Sequence, residues 1–352
     1  MEKELTLHKK ILYIAVHEYN KGWGAEHFVN KGFIDGGNKT ICIDYRKYRK
    51  GIVNQIKTVE PFDYFLLQRG DFFPIKILKA INRPKFFWAS ELVSRNRDQD
   101  RLLQSKLFDH VFVHTQACKK AVIANNWLKE EQISVLLNGF DPEIHYPMEN
   151  IEKDIDVLFI GNMLNRRKKW LNEIKKHCSL YIVNGVYGED MVKMVNRSRI
   201  ILNIHSEEFL DTETRLFEVL GCRGFLLSEK LSEDNPFINN KHLVECIDLS
   251  DMISKIRYYL NHENEVKKIA EQGYVEAINK HTYKKRAEYL TDFFSKYENK
   301  NIQDSICVDI LNSAKSESFI LYMKVYFSEK LMALKRYVKR LLPFCKFFLN
   351  EK

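Results

Sequence analysis

No two of the seven cysteines in this chain (42, 118, 178, 222, 246, 307 and 345) are spaced C-x-x-C, and their number is odd. That pattern gives neither a disulfide frame nor a zinc ribbon and fits reduced thiols in a cytosolic protein. No apolar run approaches the roughly 20 residues needed to span a bilayer. The opening MEKELTLHKK is charged and leads straight into an apolar β-type run, so no signal peptide is expected. There is no internal repeat, no low-complexity tract and no Asp-x-Asp after a strand-like run. His110 and His114 are four apart, but in a strand-like stretch with no third ligand nearby, so no metal site is expected. What the chain does have is length: 352 residues, 45% hydrophobic and 12% aromatic, describe a globular protein too long for one typical core. The net charge of +9 suits an anionic partner, whether nucleotide diphosphate, anionic lipid or nucleic acid.

Short apolar, β-rich runs recur along the chain. In the first half they are KILYIAV (10–16), TICIDY (40–45), DYFLLQ (63–68), KFFWAS (85–90), HVFVHT (110–115) and ISVLLN (133–138). In the second half they are DVLFIG (156–161), LYIVNG (180–185), IILNIH (200–205), FLLSE (225–229) and LVECID (243–248). Helical patterns fit between most of them, as in 25–34, 99–108, 167–177 and 251–262. Near-continuous apolar strands alternating with helices imply α/β architecture with parallel sheets covered on both faces. Eleven strands are too many for one compact doubly wound sheet. The patternless stretch 141–155, with two prolines, reads as a linker. The expectation is two doubly wound, Rossmann-like domains, 1–140 and 156–280, facing a cleft at their strand C-terminal ends.

Five stretches carry candidate chemistry. DTETRLFEVLGCRG (211–224) places Arg215 and Glu218 on one helical face, just after a strand that ends in Asn203 and His205. A surface ion pair is the plain alternative. FIGNMLNRRKK (159–169) ends a strand in Gly161 and Asn162 and opens a helix with Arg166 and Arg167. A close-approach glycine and guanidinium groups suit a diphosphate, whereas a merely basic helix face is the alternative. HEYNKGWGAEHF (17–28) puts Gly22 and Gly24 before a helix N-terminus, a possible anion site or an ordinary β–α turn, with His17 and Glu26 able to face the cleft. In WASELV (88–93), Glu91 stands where an acceptor-side base would stand, or where a capping glutamate would. NGFDPEIHYP (138–147) has strong turn chemistry between the two halves.

In this order, these pieces resemble the GT-B glycosyltransferases, and among them the family-4-like group that includes the CgeB-like bacterial proteins. NGFDPEIHYP is similar to that group's interdomain signature. DVLFIGNMLNRRKKWL resembles the opening of its donor domain, and NIHSEEFLDTETRLFEVLGCRGFLLSE its donor-site core with the Phe217–Glu218 pair. HTYKKRAEYLTDFF (281–294) is similar to the helix that crosses back to the first domain, within a crossover segment set at 281–300. The resemblance implies a hexosyltransferase-like enzyme with no cofactor, whose substrate is a nucleotide-sugar, UDP-sugar above others. It implies that Glu218 binds the ribose and that Arg215, Arg166 and Arg167 neutralise the diphosphate without a metal. Gly161, Asn162, Asn203, His205 and Phe217 complete the donor side. Leu210 stands where such enzymes carry a second glutamate, eight residues before Glu218, and Asp211 is beside it. Asp211, Glu91 and His17 are then the catalytic candidates, and the stereochemistry is left open.

The last segment, 301–352, reads as a basic helical extension. Within 322–352, eight Lys/Arg against two Glu give +6. Tyr326, Leu331, Leu334, Tyr337, Val338, Leu341 and Leu342 fall near helical spacing. Such a helix can lie on an anionic membrane surface, or dock on its own domain or a partner subunit. The sequence therefore supports a cytoplasmic enzyme, peripheral on the inner face of the cell membrane. It would transfer sugar to a glycan or lipid-linked acceptor in bacterial surface polysaccharide synthesis. A catalytically silent GT-B module in an assembly complex is the alternative. A nucleic-acid partner is not expected, because no recognition motif appears and the charge is spread along the chain.

Overall fold

The computed structural model describes residues 9–18, 24–93, 97–297 and 304–349, with side chains to residue 337 except 336. The first half of the chain holds strands β1 (Lys10–Ala15), β2 (Lys39–Asp44), β3 (Tyr64–Gln68), β4 (Lys85–Ala89), β5 (His110–Val113) and β6 (Ile133–Val135). They alternate with helices α1 (Ala25–Asp35), α2 (Ile52–Lys57), α3 (Ile75–Ala80), α4 (Asp100–Gln104) and α5 (Gln116–Ala124). The second half holds β7 (Ile155–Ile160), β8 (Leu180–Val183), β9 (Ser198–Asn203), β10 (Leu226–Glu229) and β11 (Val244–Cys246). Its helices are α6 (Asn165–Ile174), α7 (Gly188–Arg197), α8 (Thr214–Gly221), α9 (Leu249–Leu260) and α10 (Glu263–Lys280), followed by α11 (Tyr283–Phe294) and α12 (Val308–Leu349).

Two all-parallel sheets result, ordered β2-β1-β3-β4-β5-β6 and β11-β10-β9-β7-β8. Each has helices on both faces, which is why the inner strands read as unbroken apolar runs. In the first domain one face is filled by Phe28, Val29 and Phe33 of α1 with Ala287, Leu290 and Phe294 of α11. The other face is filled by α2, α3, α4, α5 and the start of α12, through residues such as Val53, Leu78, Leu102, Val122 and Leu311. In both sheets the chain reverses its winding direction once, between β1 and β3 and between β7 and β9. Ligands of doubly wound sheets bind outside the strand C-terminal ends at such reversals. The expected helix over 99–108 is shorter, Asp100–Gln104, because Lys106 turns into the left-handed region (φ +56°) and ends it.

The chain crosses between the domains twice, side by side. The first passage is at Phe140, whose N–H donates to the His281 carbonyl (3.3 Å) and whose carbonyl accepts from Tyr283 N–H (2.9 Å). Arg286 donates to the Leu137 carbonyl (2.9 Å) and the Asn138 carbonyl (3.1 Å), tying the second passage to the first. Residues after Phe140 do not hang free: Asn196 holds Met148 N–H at 2.7 Å and the Tyr146 carbonyl at 3.1 Å, fixing 146–148 on the second domain. A polar seam also joins the domains elsewhere. His114 meets Asp211 (3.2 Å), Gln116 N–H donates to Asp234 (3.0 Å), Lys120 pairs with Glu233 (2.8 Å), and Arg97 lies 3.6 Å from Glu207.

Candidate active site

The first crevice, between β1 and β3, is lined by charge. Gly24 caps α1 with extended backbone, and Glu26 in its first turn is fully buried. Gly22 lies outside the described residues. Arg69, just past β3, takes φ +66°, a conformation a non-glycine residue adopts only where its surroundings impose it. Gly70 follows at φ +76°, and a side chain there would start 2.7 Å from Leu102. That turn aims the Arg69 guanidinium back at two carboxylates, Glu26 and Glu91 (2.7 Å). The Gln99 amide lies 3.4 Å from the other Glu91 oxygen. Glu91 is therefore not the unengaged base that its place in the sequence suggested: an arginine and an amide already use both its oxygens. His17 folds back on its own strand, its ring edge-on to Tyr13 and its Nε2 3.2 Å from the Tyr13 carbonyl. Burial pushes the His17 imidazole below its ordinary value, which favours the neutral ring.

The second crevice, between β7 and β9, is built by the loops after those strands and by α8. Arg166 and Arg167 open α6, but each guanidinium has an internal carboxylate. Arg166 forks onto Glu229 (2.8 and 2.5 Å), donates to the His205 carbonyl (3.0 Å) and lies over Trp170. Arg167 is buried. It donates to the Ile204 carbonyl (2.7 Å), spans both Glu213 oxygens (3.2 Å each) and lies over Phe159. Gly161 leaves room for it: a Cβ there would sit 3.4 Å from Arg167 Nη1. Asn162 is exposed beside it and offers its carbonyl at 3.5 Å. His205 is buried. Its Nε2 faces the Lys230 carbonyl at 2.8 Å, and its Nδ1 lies 3.7 Å from Glu213. Burial opposes its charge, but Glu213 and that carbonyl prevail and raise its pKa.

Glu218 sits on α8 with one oxygen 2.8 Å from Arg215 Nη1 and the other 3.8 Å from His145 Nε2. Burial alone would raise its carboxyl. The Arg215 and His145 charges more than offset this, and the group is held below the ordinary carboxylate value. Arg215 also lies against Met191. Asp211 is likewise lowered against the pull of burial, by its bond to His114 from the other domain.

Two expected donor residues lie elsewhere. Phe217 is fully buried against Phe237 and His281, because its place in α8 points into the core. Asn203 is buried and donates to Ser228 (2.9 Å), joining β9 to β10. Four groups at the site were not assigned a part from sequence: Arg69, His114, His145 and Tyr283. His145 stood inside the NGFDPEIHYP signature, and Arg69-Gly70 directly follows a strand, so both had a readable signal. Tyr283 is buried with an unpartnered hydroxyl, near enough to Glu218 and Glu26 for both charges to raise its pKa after burial does.

Two facing α/β domains of these strand orders, with a cleft between their switch points, make the GT-B architecture. Residues 143–292 match the family model described as Glycosyl transferase-like. Among solved structures, sucrose-phosphate synthase from Thermosynechococcus elongatus is similar with a TM-score of 0.61, at 10% identity over 82% of this chain and 99% of that one. Anabaena HepE in complex with UDP and glucose gives 0.60 at 11% identity, covering 82% and 100%. A glycosyltransferase from Rickettsia africae gives 0.61 at 12%, covering 82% and 98%. No curated protein sequence matches. The chain thus has the GT-B fold, and its residues 143–292 are similar to the glycosyl transferase-like family.

The two neighbouring arginines should separate by experiment. Arg167→Ala strands Glu213 and a buried carbonyl, and should cost about 2–4 kcal/mol in thermal or denaturant unfolding. Arg166 is the more exposed guanidinium, and in Arg166→Ala the Glu229 carboxylate keeps the His205 N–H at 2.6 Å. That variant also leaves the buried Glu229 without its cation and should lose stability too, but it should in addition bind nucleotide diphosphate about tenfold more weakly by calorimetry.

Proposed function

We propose that this protein transfers a sugar from a nucleotide-diphosphate-sugar, preferentially a UDP-sugar, to a glycan or glycolipid acceptor in bacterial surface polysaccharide or glycoconjugate synthesis. The observation that carries the reading is the Glu218 carboxylate, held ionised by Arg215 and His145 beside the β7/β9 crevice. An ionised carboxylate whose Oε1 makes no hydrogen bond among the described residues, with His145 Nε2 standing 3.8 Å away, is an acceptor that a ribose diol can use. The diphosphate would lie over the N-termini of α6 and α8, where unpaired backbone N–H groups attract anions. Arg166 and Arg215 would share their charge with it and stabilise the leaving nucleotide without a metal. The HepE structure with UDP and glucose supports this choice of donor. The finer assignment, to the CgeB-like group, is supported by Asp211 standing beside Leu210, where other family-4-like enzymes carry a glutamate.

One observation favours a second reading. Glu91 and Asp211, the carboxylates best placed to serve the sugar, are each already engaged, by the Arg69 guanidinium and by the His114 ring, and the exposed Leu210 fills the place of a further glutamate. A donor-binding module without turnover would look the same. Incubation with UDP-, GDP- and CMP-sugars and a lipid-linked acceptor pool decides between them. Release of nucleotide from one donor supports transfer. Nucleotide binding with no donor consumed overturns it.

A further inference from the structure

Among its described residues, helix α12 carries two apolar stripes, and one of them packs on the first domain. Leu311, Ala314, Ser318, Leu321 and Val325, at alternating three- and four-residue steps, face the first domain and are buried. Glu317 on that side caps α3, accepting from Ile75 N–H (3.0 Å) and Lys76 N–H (2.8 Å), and Ser318 donates to the Arg49 carbonyl (2.8 Å). The other stripe is Ile320, Phe327, Leu331 and Leu334, in register on one helical face. It faces away from the domain, with Phe327, Leu331 and Leu334 at 61%, 53% and 57% exposure. All described side chains from Tyr326 to Tyr337 are exposed, so the helix runs clear of the body. At 42 residues it is about 63 Å long.

Where α12 leaves the domain, a recess of about 320 Å³ opens between it and the loop after β2, lined by Arg46, Lys47, Arg49, Lys50, Tyr326 and Glu329 among others. Arg46 (2.5 Å) and Arg49 (3.3 Å) share the single carboxylate of Asp71, and Lys47 meets Glu18. Lys50 has no carboxylate partner among the described residues. The recess is thus net basic, and Tyr326 borders both it and the apolar stripe.

We propose that the free stripe of α12 and this basic recess form one docking face for an anionic lipid bilayer, the apolar side chains entering the headgroup boundary and the recess taking a phosphate headgroup. Charge selects this occupant over a second copy of the chain. Lys330 and Lys335 flank the free stripe on its two sides, and two such helices laid together on that stripe would bring these like charges against each other. The same charges favour an anionic surface. The helix lies on the membrane and does not cross it, since no helix among the described residues is long and apolar enough to span.

The test is co-sedimentation of the full chain with vesicles of phosphatidylcholine and phosphatidylglycerol in equal parts, against phosphatidylcholine alone. No sugar donor is present, so failure here leaves the transfer reading untouched. Binding should require phosphatidylglycerol and weaken with salt. The doublets Phe327→Asp/Leu331→Asp and Lys47→Glu/Lys50→Glu, all at surface positions, should each lower it about tenfold or more. Soluble phosphoglycerol should not compete at equal phosphate, which separates a bilayer from a free phosphate. The proposal is overturned if wild type fails to bind, if the Phe327/Leu331 doublet binds undiminished, or if light scattering shows a dimer that this doublet dissolves.

Discussion

Glu218→Gln should weaken binding of UDP about 100-fold. Two hydroxyl groups donating to one carboxylate contribute about 1.5 kcal/mol each when the acceptor is charged. The amide keeps the shape but offers one acceptor where there were two, and loses the charge. The substitution also unpairs Arg215 and His145, so affinity alone would not isolate the ribose contact. A deoxyribose comparison does. In wild type, 2′-deoxy-UDP should bind about tenfold more weakly than UDP by calorimetry. In Glu218→Gln the two ligands should bind alike. A retained preference for the ribose would remove Glu218 from that role. The pH dependence follows from the lowered carboxyl. A depressed pKa keeps the group ionised above the ordinary carboxylate value of about 4.3, so affinity should stay level there and fall as pH drops through the lower folded value. The stability contributed by the Arg215–Glu218 pair has the same sign, present above the ordinary value and lost on acidification.

Gly139→Ala should destabilise the fold strongly with a single methyl. The new Cβ would lie 2.6 Å from the His281 carbonyl oxygen and 3.2 Å from Thr282 backbone, and neither can move without breaking the paired passages at Phe140. Gly221→Ala meets the same place from the other side, 2.5 Å from the Phe140 ring. Overpacking of this kind costs about 3 kcal/mol or more. For domains of this size that is a fall in melting temperature of roughly 6–12 °C. Gly51→Ala, with nothing within 4 Å of its Cβ, is the control and should melt as wild type. If Gly139→Ala melts with the control, the two passages yield more readily than their packing indicates.

How far the sequence foretold the molecule depends on the range of the interaction. The strands were legible because each inner one is covered on both faces, which writes a run such as KILYIA into the chain. The expected α4 overshot because Lys106 leaves the helix at a left-handed turn, a choice that residue type does not advertise. At the site, the Arg215–Glu218 pair was legible because three-residue spacing on a helix is local. The partners of Arg166, Arg167, Glu91 and Asp211 were not. Glu229, Glu213, Arg69 and His114 lie dozens of residues away and meet them only once the sheets are assembled, three of the four within one domain and the last across the seam. Phe217 was misplaced for the opposite reason: its neighbour Glu218 faces the cleft, and one step along a helix turns a side chain by about 100°.

The first domain is discontinuous in the chain. Ala287, Leu290 and Phe294 of α11 complete one face of its sheet, and Leu311 and Ala314 of α12 complete the other. A ribosome that has released residues 1–140 has therefore made six strands with both flanks unfinished. The second domain, contiguous in sequence, can close before α11 emerges. At ordinary synthesis rates the wait from residue 140 to 294 is roughly ten to thirty seconds. During it, Phe86 lacks the ring of Phe294 that stacks on it at 4.1 Å in the finished fold. Nascent chains halted near residue 280 should accordingly bind hydrophobic dyes and chaperones that completed chains ignore. In this protein the part made first is the part finished last.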